Sequence, residues 1–278
     1  MTDANRNLLL RLASAAVLVP LLIVGIAWPR PLPLEVAVHV AVALALGELY
    51  WMVLRGDPVW MRVCGVALGL LVSLTMAWCK APGALLGALI IATLGAAILH
   101  LVCFGELQTA GARTGLMVFG FLYVPVLLTP LSLMRRLPDG SDWVFLTLTL
   151  TFFCDTGAYA FGRMFGKHKL YPAVSPKKTL EGAAGGLLFA FGAGALAQLW
   201  YMPQLGWVNA IEVTVPGAAL SMAGDLVESL IKRSEGIKDS GKLLPGHGGL
   251  LDRIDALLFS TPYVYLYAAY LFGRGPLS

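Results

Sequence analysis

Long apolar runs separated by short polar segments form the dominant pattern along this chain. A run of about 20 apolar residues, coiled as a helix, is long enough to cross the hydrocarbon core of a bilayer. We therefore predict an all-α, polytopic integral membrane protein with about nine transmembrane helices. The nine runs are Leu8–Trp28, Leu34–Leu54, Trp60–Trp78, Ala84–Val102, Gly115–Met134, Trp143–Phe161, Gly182–Met202, Val208–Ile231 and Ile254–Phe272.

The first and the eighth of these runs differ from the others. Leu8–Trp28 is longer than the apolar core of a secretory signal peptide, which is about 7–15 residues. We expect it to be a retained helix, with a cleaved signal as the alternative. Val208–Ile231 contains Asp225 and Glu228, and acidic side chains inside membrane helices are rare and usually functional.

The organisation of the chain predicts a single domain. The loops between the apolar runs are short, and we find no internal repeat, low-complexity tract or separate soluble domain. We therefore expect one membrane-embedded domain over residues 1–278. Within it, residues 1–142 would form a scaffold of N-terminal helices, and residues 143–278 would carry the polar loops of the functional site.

The overall composition supports a membrane protein. Apolar residues make up 58% of the chain and charged residues 13%, against about 45–50% and 25% in an average soluble domain. The formal net charge of +4 is too small to indicate a nucleic-acid partner. The four cysteines are scattered through apolar runs without a C-x-x-C pair, so neither a disulfide framework nor a zinc site is indicated.

The distribution of positive charge predicts the orientation in the membrane. Nine spans place the two ends of the chain on opposite sides. With the N-terminus inside, 15 of the 20 Lys and Arg residues lie on the inner side and 5 on the outer side. Cytoplasmic loops of membrane proteins carry the excess of Lys and Arg. The polar loops of the C-terminal half are therefore predicted to face the cytoplasm.

The highest density of charged residues lies in the stretch Ser221–Asp255. On a helix, residues spaced by four, seven and eight positions share one face. Because Lys232 and Arg233 mark the inner end of the eighth span, Asp225 would lie about 10 Å deeper. The residues on this predicted face are Asp225, Ser229, Lys232 and Arg233.

Two further acids, Asp252 and Asp255, open the ninth span from the same side. Their i, i+3 spacing places them on one helix face. Together with Asp225 they could meet at head-group depth, where carboxylate oxygens suit Mg²⁺ better than a softer metal. Structural ion pairing with Lys232, Arg233 and Arg253 is the alternative.

A glycine-rich break, Pro245–Gly249, lies between the acids of the eighth and ninth spans. Glycines allow bare backbone N–H groups to approach a ligand closely. Acids for a metal, cations for phosphate and a glycine loop together suggest phosphoryl-transfer chemistry. His247 in this break could be an acid, a phosphate donor or a residue that orders the loop.

A second polar loop runs from Asp155 to Glu181. Ser175 followed by Pro176 predicts a helix N-cap with proline at the first helical position. Lys177 and Lys178 would then lie in the first turn, where the helix end already favours an anion. The alternative is a basic loop that only fixes topology or contacts anionic lipid. Asp155 beside a glycine has no such topological use, so it is a site candidate.

Three polar residues of the N-terminal half lie in apolar runs. Glu48 near the end of the second run could act in the site or could reach the membrane interface. His39 and His100 are single histidines on apolar helices. For both we expect a satisfied buried polar group rather than a metal ligand.

The polar segments together resemble a known family. The residues from 229 to 255 read S-x-I-K-R-x₄-K-D-x-G-x₂-L-P-x-H-G-G-L-x-D-R-I-D. Residues 155–159 read D-T-G-A-Y, residues 166–170 read G-K-H-K-L, and residues 175–181 read S-P-K-K-T-L-E. These segments resemble the CDP-diacylglycerol synthases, also called phosphatidate cytidylyltransferases, and the segment 229–255 departs nowhere from the family pattern.

The resemblance implies a reaction, a fold and a location. The reaction would be CTP + phosphatidate → CDP-diacylglycerol + pyrophosphate, in bacterial phospholipid biosynthesis. The fold would be a homodimeric, all-helical bundle of the inner membrane, with its active site facing the cytoplasm. A divalent cation, Mg²⁺, would be required, with a second, monovalent cation such as K⁺ as an addition.

The resemblance also implies roles for individual residues. The metal ligands would be Asp225, Asp252 and Asp255. Residues at the reacting groups would be Asp155, Lys232, Arg233, Asp239 and His247. Residues that bind the substrates would be Lys167, Lys169, Ser175, Lys177, Lys178, Lys238, Gly248, Gly249 and Arg253.

Three other functions remain open at the level of sequence. A CTP-dependent polyprenol kinase would transfer the terminal phosphoryl group and release CDP rather than pyrophosphate. An ion-coupled transporter would favour acids at the bilayer midplane and two related halves with interrupted helices, and we see no such halves. A lipid-binding scaffold would need the basic loops but not the spacing of the acids.

Overall fold

The structure is a computed structural model that describes residues 16, 19–103, 105–241, 243 and 248–272. Two compact units divide the chain. One contains the helices up to Ser132 together with Asp239–Arg253, and the other contains Leu133–Lys238 and the chain from Ile254 onward. The segment 239–253 thus belongs with the N-terminal helices.

Helices form almost all of the regular structure in the described residues. The described part of α1 covers residues 19–27. The later helices are α2 (Leu32–Val53), α3 (Val59–Trp78), α4 (Ala84–Val102), α5 (Leu107–Tyr123), α6 (Pro125–Leu128), α7 (Pro130–Met134), α8 (Gly140–Phe165), α9 (Leu180–Trp200), α10 (Trp207–Ser234) and α11 (Leu251–Leu266). A 3₁₀ turn at Pro203–Leu205 precedes α10, and a π turn at Tyr267–Leu271 follows α11.

The all-α, multi-pass prediction is confirmed. Seven helical stretches among the described residues are long and apolar enough to cross a membrane, with α5 to α7 forming one stretch, Leu107–Met134. The count of nine stays a prediction. The predicted first span begins outside the described residues, and α11 has only 16 residues before the π turn.

The N-terminal unit has a large apolar core. Leu46, Leu49 and Tyr50 of α2 are fully buried, as is Phe121 of α5. The hydroxyl of Tyr50 donates a hydrogen bond of 2.6 Å to the carbonyl oxygen of Met117, which satisfies its polar end. This bond joins α2 to α5 within the core.

Buried polar groups in the same unit are paired with one another. Asp57, in the turn between α2 and α3, forms an ion pair with Arg113 and lies 3.0 Å from Nε2 of His100. His39 Nδ1 lies 2.8 Å from the Ser73 hydroxyl. The prediction of a satisfied buried polar group is therefore confirmed for His100, both of whose ring nitrogens are paired. For His39 it holds at Nδ1.

The C-terminal unit depends on close helix packing. A Cβ placed on Gly157 of α8 would lie 2.6 Å from the carbonyl oxygen of Gly185 in α9, so only glycine permits this approach. A Cβ on Gly224 of α10 would lie 2.5 Å from the carbonyl oxygen of Asp255 in α11. The small residues thus bring the backbone of α10 next to that of α11 beside Asp225.

A short antiparallel hairpin connects α8 to α9. Its strands are β1 (Lys169–Tyr171) and β2 (Ser175–Thr179), with Lys169 opposite Thr179 and Tyr171 opposite Ser175. The predicted helix start at Ser175 and Pro176 is therefore wrong.

The helix α9 begins four residues later than predicted. Thr179 is its N-cap, and the Thr179 hydroxyl accepts a 3.1 Å hydrogen bond from the backbone N–H of Gly182. Proline fixes φ near −65°, a value that suits an extended strand as well as a first helical turn. The hydrogen bonds between β2 and β1 favour the strand over the helical turn. Lys177 and Lys178 consequently lie on β2, not in a helical turn.

Candidate functional site

A cleft of about 400 Å³ lies in the C-terminal unit, among α8, the hairpin, α9 and α10. We call it the lysine cleft. It brings together residues that are far apart in the sequence, from α8, β2 and α10. The charged and aromatic side chains that line it are Asp155, Tyr159, Arg163, Lys177, Lys178 and Asp225.

An ion pair lies at the centre of the charged lining. The Lys178 ammonium is 2.6 Å from Oδ2 of Asp225, and both side chains are partly exposed. The Ser229 hydroxyl, one turn along α10, lies 3.4 Å from Asp225 Oδ1. Asp255 of α11 is buried and interacts electrostatically with Asp225 and Asp155. Three carboxylates and a lysine therefore share one electrostatic environment.

The hairpin is fixed to α9 by one acidic side chain. Glu181, in the first turn of α9, accepts hydrogen bonds from the backbone N–H groups of Lys167 and His168. Its Oε1 also lies 2.6 Å from His168 Nδ1. These bonds hold the turn that precedes β1. Lys167, Lys169 and Ser175 do not line the lysine cleft, so the structure brings only part of the predicted loop into it.

Asp252 lies in the N-terminal unit, in a different setting. Its two carboxylate oxygens are each 3.1 Å from the backbone nitrogen of Ser240, and Oδ2 accepts a 2.9 Å bond from the N–H of Gly249. Gly248, with a φ of 84°, precedes this contact. Asp252 therefore holds the backbone of Ser240 and Gly249 at the start of α11.

The other predicted residues have varied surroundings. Lys232 forms an ion pair with Glu228, which is fully buried one turn before it on α10. Arg233 donates a 3.0 Å hydrogen bond to the carbonyl oxygen of Ile237, beyond the helix end. Arg233 is exposed, as are Lys238, Asp239 and Arg253. His247 lies outside the described residues.

Two residues of the lysine cleft were not among the predicted site residues. Arg163 and Tyr159 line it, and the Arg163 guanidinium donates a 3.1 Å hydrogen bond to the Tyr159 hydroxyl. The sequence did contain a signal for them. Asp155, Tyr159 and Arg163 follow one another at intervals of four residues, which places them on one face of α8.

The acids of the C-terminal unit fit one kind of metal site. Within the described ranges, no three His, Cys, Asp or Glu side chains form a group that could hold a metal ion. Mg²⁺, however, usually binds one or two carboxylates and completes its shell with water and substrate phosphates. The partly exposed Asp225, with Asp155 on the same cleft, supplies such oxygen ligands.

The comparisons with known proteins place the chain in a family. The model of the cytidylyltransferase family matches residues 9–271. A phosphatidate cytidylyltransferase of Staphylococcus epidermidis is 42% identical over 124 residues, which are 45% of this chain and 48% of the relative.

Two further relatives have the same name. The Bacillus subtilis protein is 40% identical over 130 residues, 47% of this chain and 48% of its own length. The Mycobacterium bovis protein is 40% identical over 144 residues, 52% of this chain and 47% of its own length. The matched segments span about half the length of these curated relatives. Because the family model covers nearly the whole chain, this protein is a polytopic membrane protein that belongs to the cytidylyltransferase family.

Proposed function

We propose that this protein is a phosphatidate cytidylyltransferase, which converts CTP and phosphatidate into CDP-diacylglycerol and pyrophosphate. The family match over residues 9–271 carries the proposal, and the relatives of that name support it. The lysine cleft supports it independently, because its basic and acidic side chains suit a metal-bound nucleotide.

The proposed reaction requires that the two substrates be held in position, more than it requires activation of a nucleophile. A phosphate oxygen of phosphatidate forms a bond to the α-phosphorus of CTP, while the bond from that phosphorus to the β-phosphate oxygen breaks. Pyrophosphate leaves with the electron pair. Lys177, Lys178 and Arg163 would reduce the repulsion between the two anions and stabilise charge on the leaving group.

A divalent cation is part of the proposal. Asp225 would hold Mg²⁺ together with Asp155 or Asp255 of the same unit. Asp252, the third ligand that the family resemblance implies, stays a prediction. When bound, the ion would supply charge neutralisation at the phosphates. A monovalent cation such as K⁺ would be a second ion of the site.

The proposal extends to location and assembly. The excess of Lys and Arg on the predicted inner side favours a site at the cytoplasmic face of the bacterial inner membrane. There a lipid phosphate in the head-group plane and CTP from the cytosol could both reach the lysine cleft. We propose a homodimer on the basis of the family resemblance.

Labelled CTP separates this function from the nearest alternative. The purified protein is incubated with Mg²⁺ and either phosphatidate or a polyprenol, in parallel reactions with α-labelled and γ-labelled CTP. The proposal predicts lipid-bound label only from α-labelled CTP with phosphatidate, and release of pyrophosphate. Transfer of γ-label to polyprenol would instead establish a kinase, and no transfer in any reaction would overturn the proposal.

A further inference from the structure

Glu48 binds a segment of the chain about 200 residues away. This residue lies near the end of α2, and its carboxylate accepts hydrogen bonds from Ser240, Leu250 and Leu251. Oε1 accepts a 3.0 Å hydrogen bond from the N–H of Leu250. Oε2 accepts a 2.8 Å bond from the N–H of Leu251 and a 3.2 Å bond from the Ser240 hydroxyl.

The chemistry of these contacts suits a carboxylate that acts as an acceptor. All three partners are donors, and a carboxylate that only accepts satisfies three donors with its two oxygens. Leu251 is the first residue of α11, so its N–H and that of Leu250 have no acceptor within the helix. A negative charge at this end of a helix is also favoured by the helix dipole.

The glycines of the segment allow Glu48 to approach the backbone. A Cβ placed on Gly241 would lie 2.6 Å from Glu48 Oε1, and a Cβ on Gly249 would lie 2.6 Å from Oε2. A side chain at either position would therefore displace the Glu48 carboxylate. Glycine at 241 and 249 leaves the space that this contact occupies.

The same segment is held from its other side by Asp252. The Ser240 backbone N–H and the Gly249 N–H donate to Asp252, while the Ser240 hydroxyl donates to Glu48. Two carboxylates thus share the donors of one short segment. If the Glu48 carboxylate is removed, the Ser240 hydroxyl and the N–H groups at the start of α11 lose their acceptor, and Asp252 alone is left to hold Ser240 and Gly249.

We propose that Glu48 is a positioning residue, which holds the segment 239–253 so that Asp252 and α11 keep the geometry that the transfer reaction requires. The inference rests on the proposed function for its effect on turnover. Glu48 acts through the backbone of Leu250 and Leu251 and through Ser240.

Two variants and a matched control test this role. Glu48→Ala removes the acceptor, and Glu48→Gln keeps one carbonyl oxygen of similar reach. Glu35→Gln is the control, because Glu35 is likewise an acid of α2 but is buried and accepts a 3.0 Å bond from the Trp78 indole instead. Each variant is purified in detergent and assayed for kcat, for the CTP KM and for hydrogen exchange of the backbone amides.

We expect Glu48→Ala to lower kcat by about 10–100-fold, the usual effect of losing a residue that orients a ligand. The CTP KM should change less, since the lysine cleft is built from other helices. Amides of Ser240, Gly249, Leu250 and Leu251 should exchange about tenfold faster. Glu48→Gln should recover part of kcat, and Glu35→Gln should match the wild type in both measurements.

The two readouts keep this inference separate from the proposed function. Unchanged exchange in the segment 239–253, or a wild-type kcat in Glu48→Ala, would overturn the positioning role. If Glu48→Ala does not fold, Glu48→Gln is judged on the same two measurements. A wild-type protein that transfers no label would refute the proposed function. Faster exchange in the Glu48 variants would in that case still establish that Glu48 holds the segment.

Discussion

The ammonium nitrogen of Lys178 lies 2.6 Å from Oδ2 of Asp225 and thereby joins the hairpin to helix α10. One of these residues is a predicted phosphate ligand and the other a predicted metal ligand. Without a nucleotide, the lysine neutralises the acid. Because both side chains are partly exposed, the pair contributes little to the free energy of unfolding. Its main effect is to hold two opposite charges at one cleft.

The basic residues of β2 are expected to bind CTP. Replacing both Lys177 and Lys178 with Ala should raise the CTP KM by about tenfold or more, because a hydrogen bond to a charged group is worth about 1.5–3 kcal/mol. The phosphatidate KM should change less. Lys80→Ala is the control, since Lys80 is exposed and lies on the predicted outer side. An unchanged CTP KM in the double variant would leave these lysines a topological role only.

The predicted metal ligands are tested by replacing Asp with Asn, which keeps the shape of the side chain and removes its charge. Asp225→Asn, Asp252→Asn and Asp255→Asn should each lose at least about 10²-fold in turnover, the effect of removing one preorganised charge. Thermal stability and dimer content should be retained, and excess Mg²⁺ should partly restore activity. Asp142→Asn, at the other end of α8, should behave as the wild type.

The three acid variants should differ in hydrogen exchange. Asp252 accepts from the Ser240 and Gly249 N–H groups, so Asp252→Asn should also speed exchange in the segment 239–253. Asp225→Asn should not, because Asp225 contacts Lys178 and Ser229. A stable Asp252→Asn variant that works within a few-fold of the wild type would remove Asp252 from the mechanism.

The side of the membrane can be measured with single cysteines, in a background in which the four native cysteines are replaced. Ser240 is buried against Glu48 and Asp252, so the exposed Lys238 is the better position for a probe. Lys238→Cys should resist an impermeant thiol reagent in spheroplasts and react once the membrane is opened. Arg136→Cys, at an exposed site on the predicted outer side, should react in both states. The reverse pattern would invert the topology.

The buried ion pair of the N-terminal unit should matter for stability. Asp57→Asn leaves the Arg113 guanidinium without its charged partner, and breaking a buried pair typically costs about 3–5 kcal/mol in the free energy of unfolding. The double variant Asp57→Asn/Arg113→Met should be less destabilised than Asp57→Asn alone, because no uncompensated charge is left. Unfolding in detergent measures both, and a double variant that loses as much as Asp57→Asn or more would contradict this expectation.

The sequence alone predicted the membrane helices closely. The predicted run Ala84–Val102 coincides with α4, and the run Trp60–Trp78 differs from α3 by one residue. Hydropathy succeeds here because a backbone in lipid must satisfy its own hydrogen bonds, so an apolar run of sufficient length becomes a helix whatever its neighbours are. The two histidines could be placed for a similar reason, since a buried imidazole in an apolar helix needs a polar partner.

The hairpin shows where local pattern was not enough. Ser175 and Pro176 carry the residue types of a helix start, yet they form β2, and Thr179 caps α9 instead. The preference of a Ser-Pro pair for a helix start stabilises this segment less than two other sets of hydrogen bonds do. One set joins β2 to β1, and the other is accepted by Glu181 from the turn before β1. Lys177 and Lys178 were identified as site candidates by their charge, but their placement on a strand depended on that pairing.

The relative positions of charged groups from distant segments were decided only by the tertiary structure. The i, i+4 and i, i+3 rules relate residues of one helix, and they placed Asp225 beside Ser229. They contain no information on which lysine would approach Asp225, or on what Glu48 would contact. The pairing of Lys178 with Asp225 depends on the hairpin and α10 meeting at the lysine cleft, and the contacts of Glu48 depend on the space left by glycine at 241 and 249. Such contacts follow from the packing of helices far apart in the chain, because a charged group in an apolar medium must find a partner wherever the fold provides one.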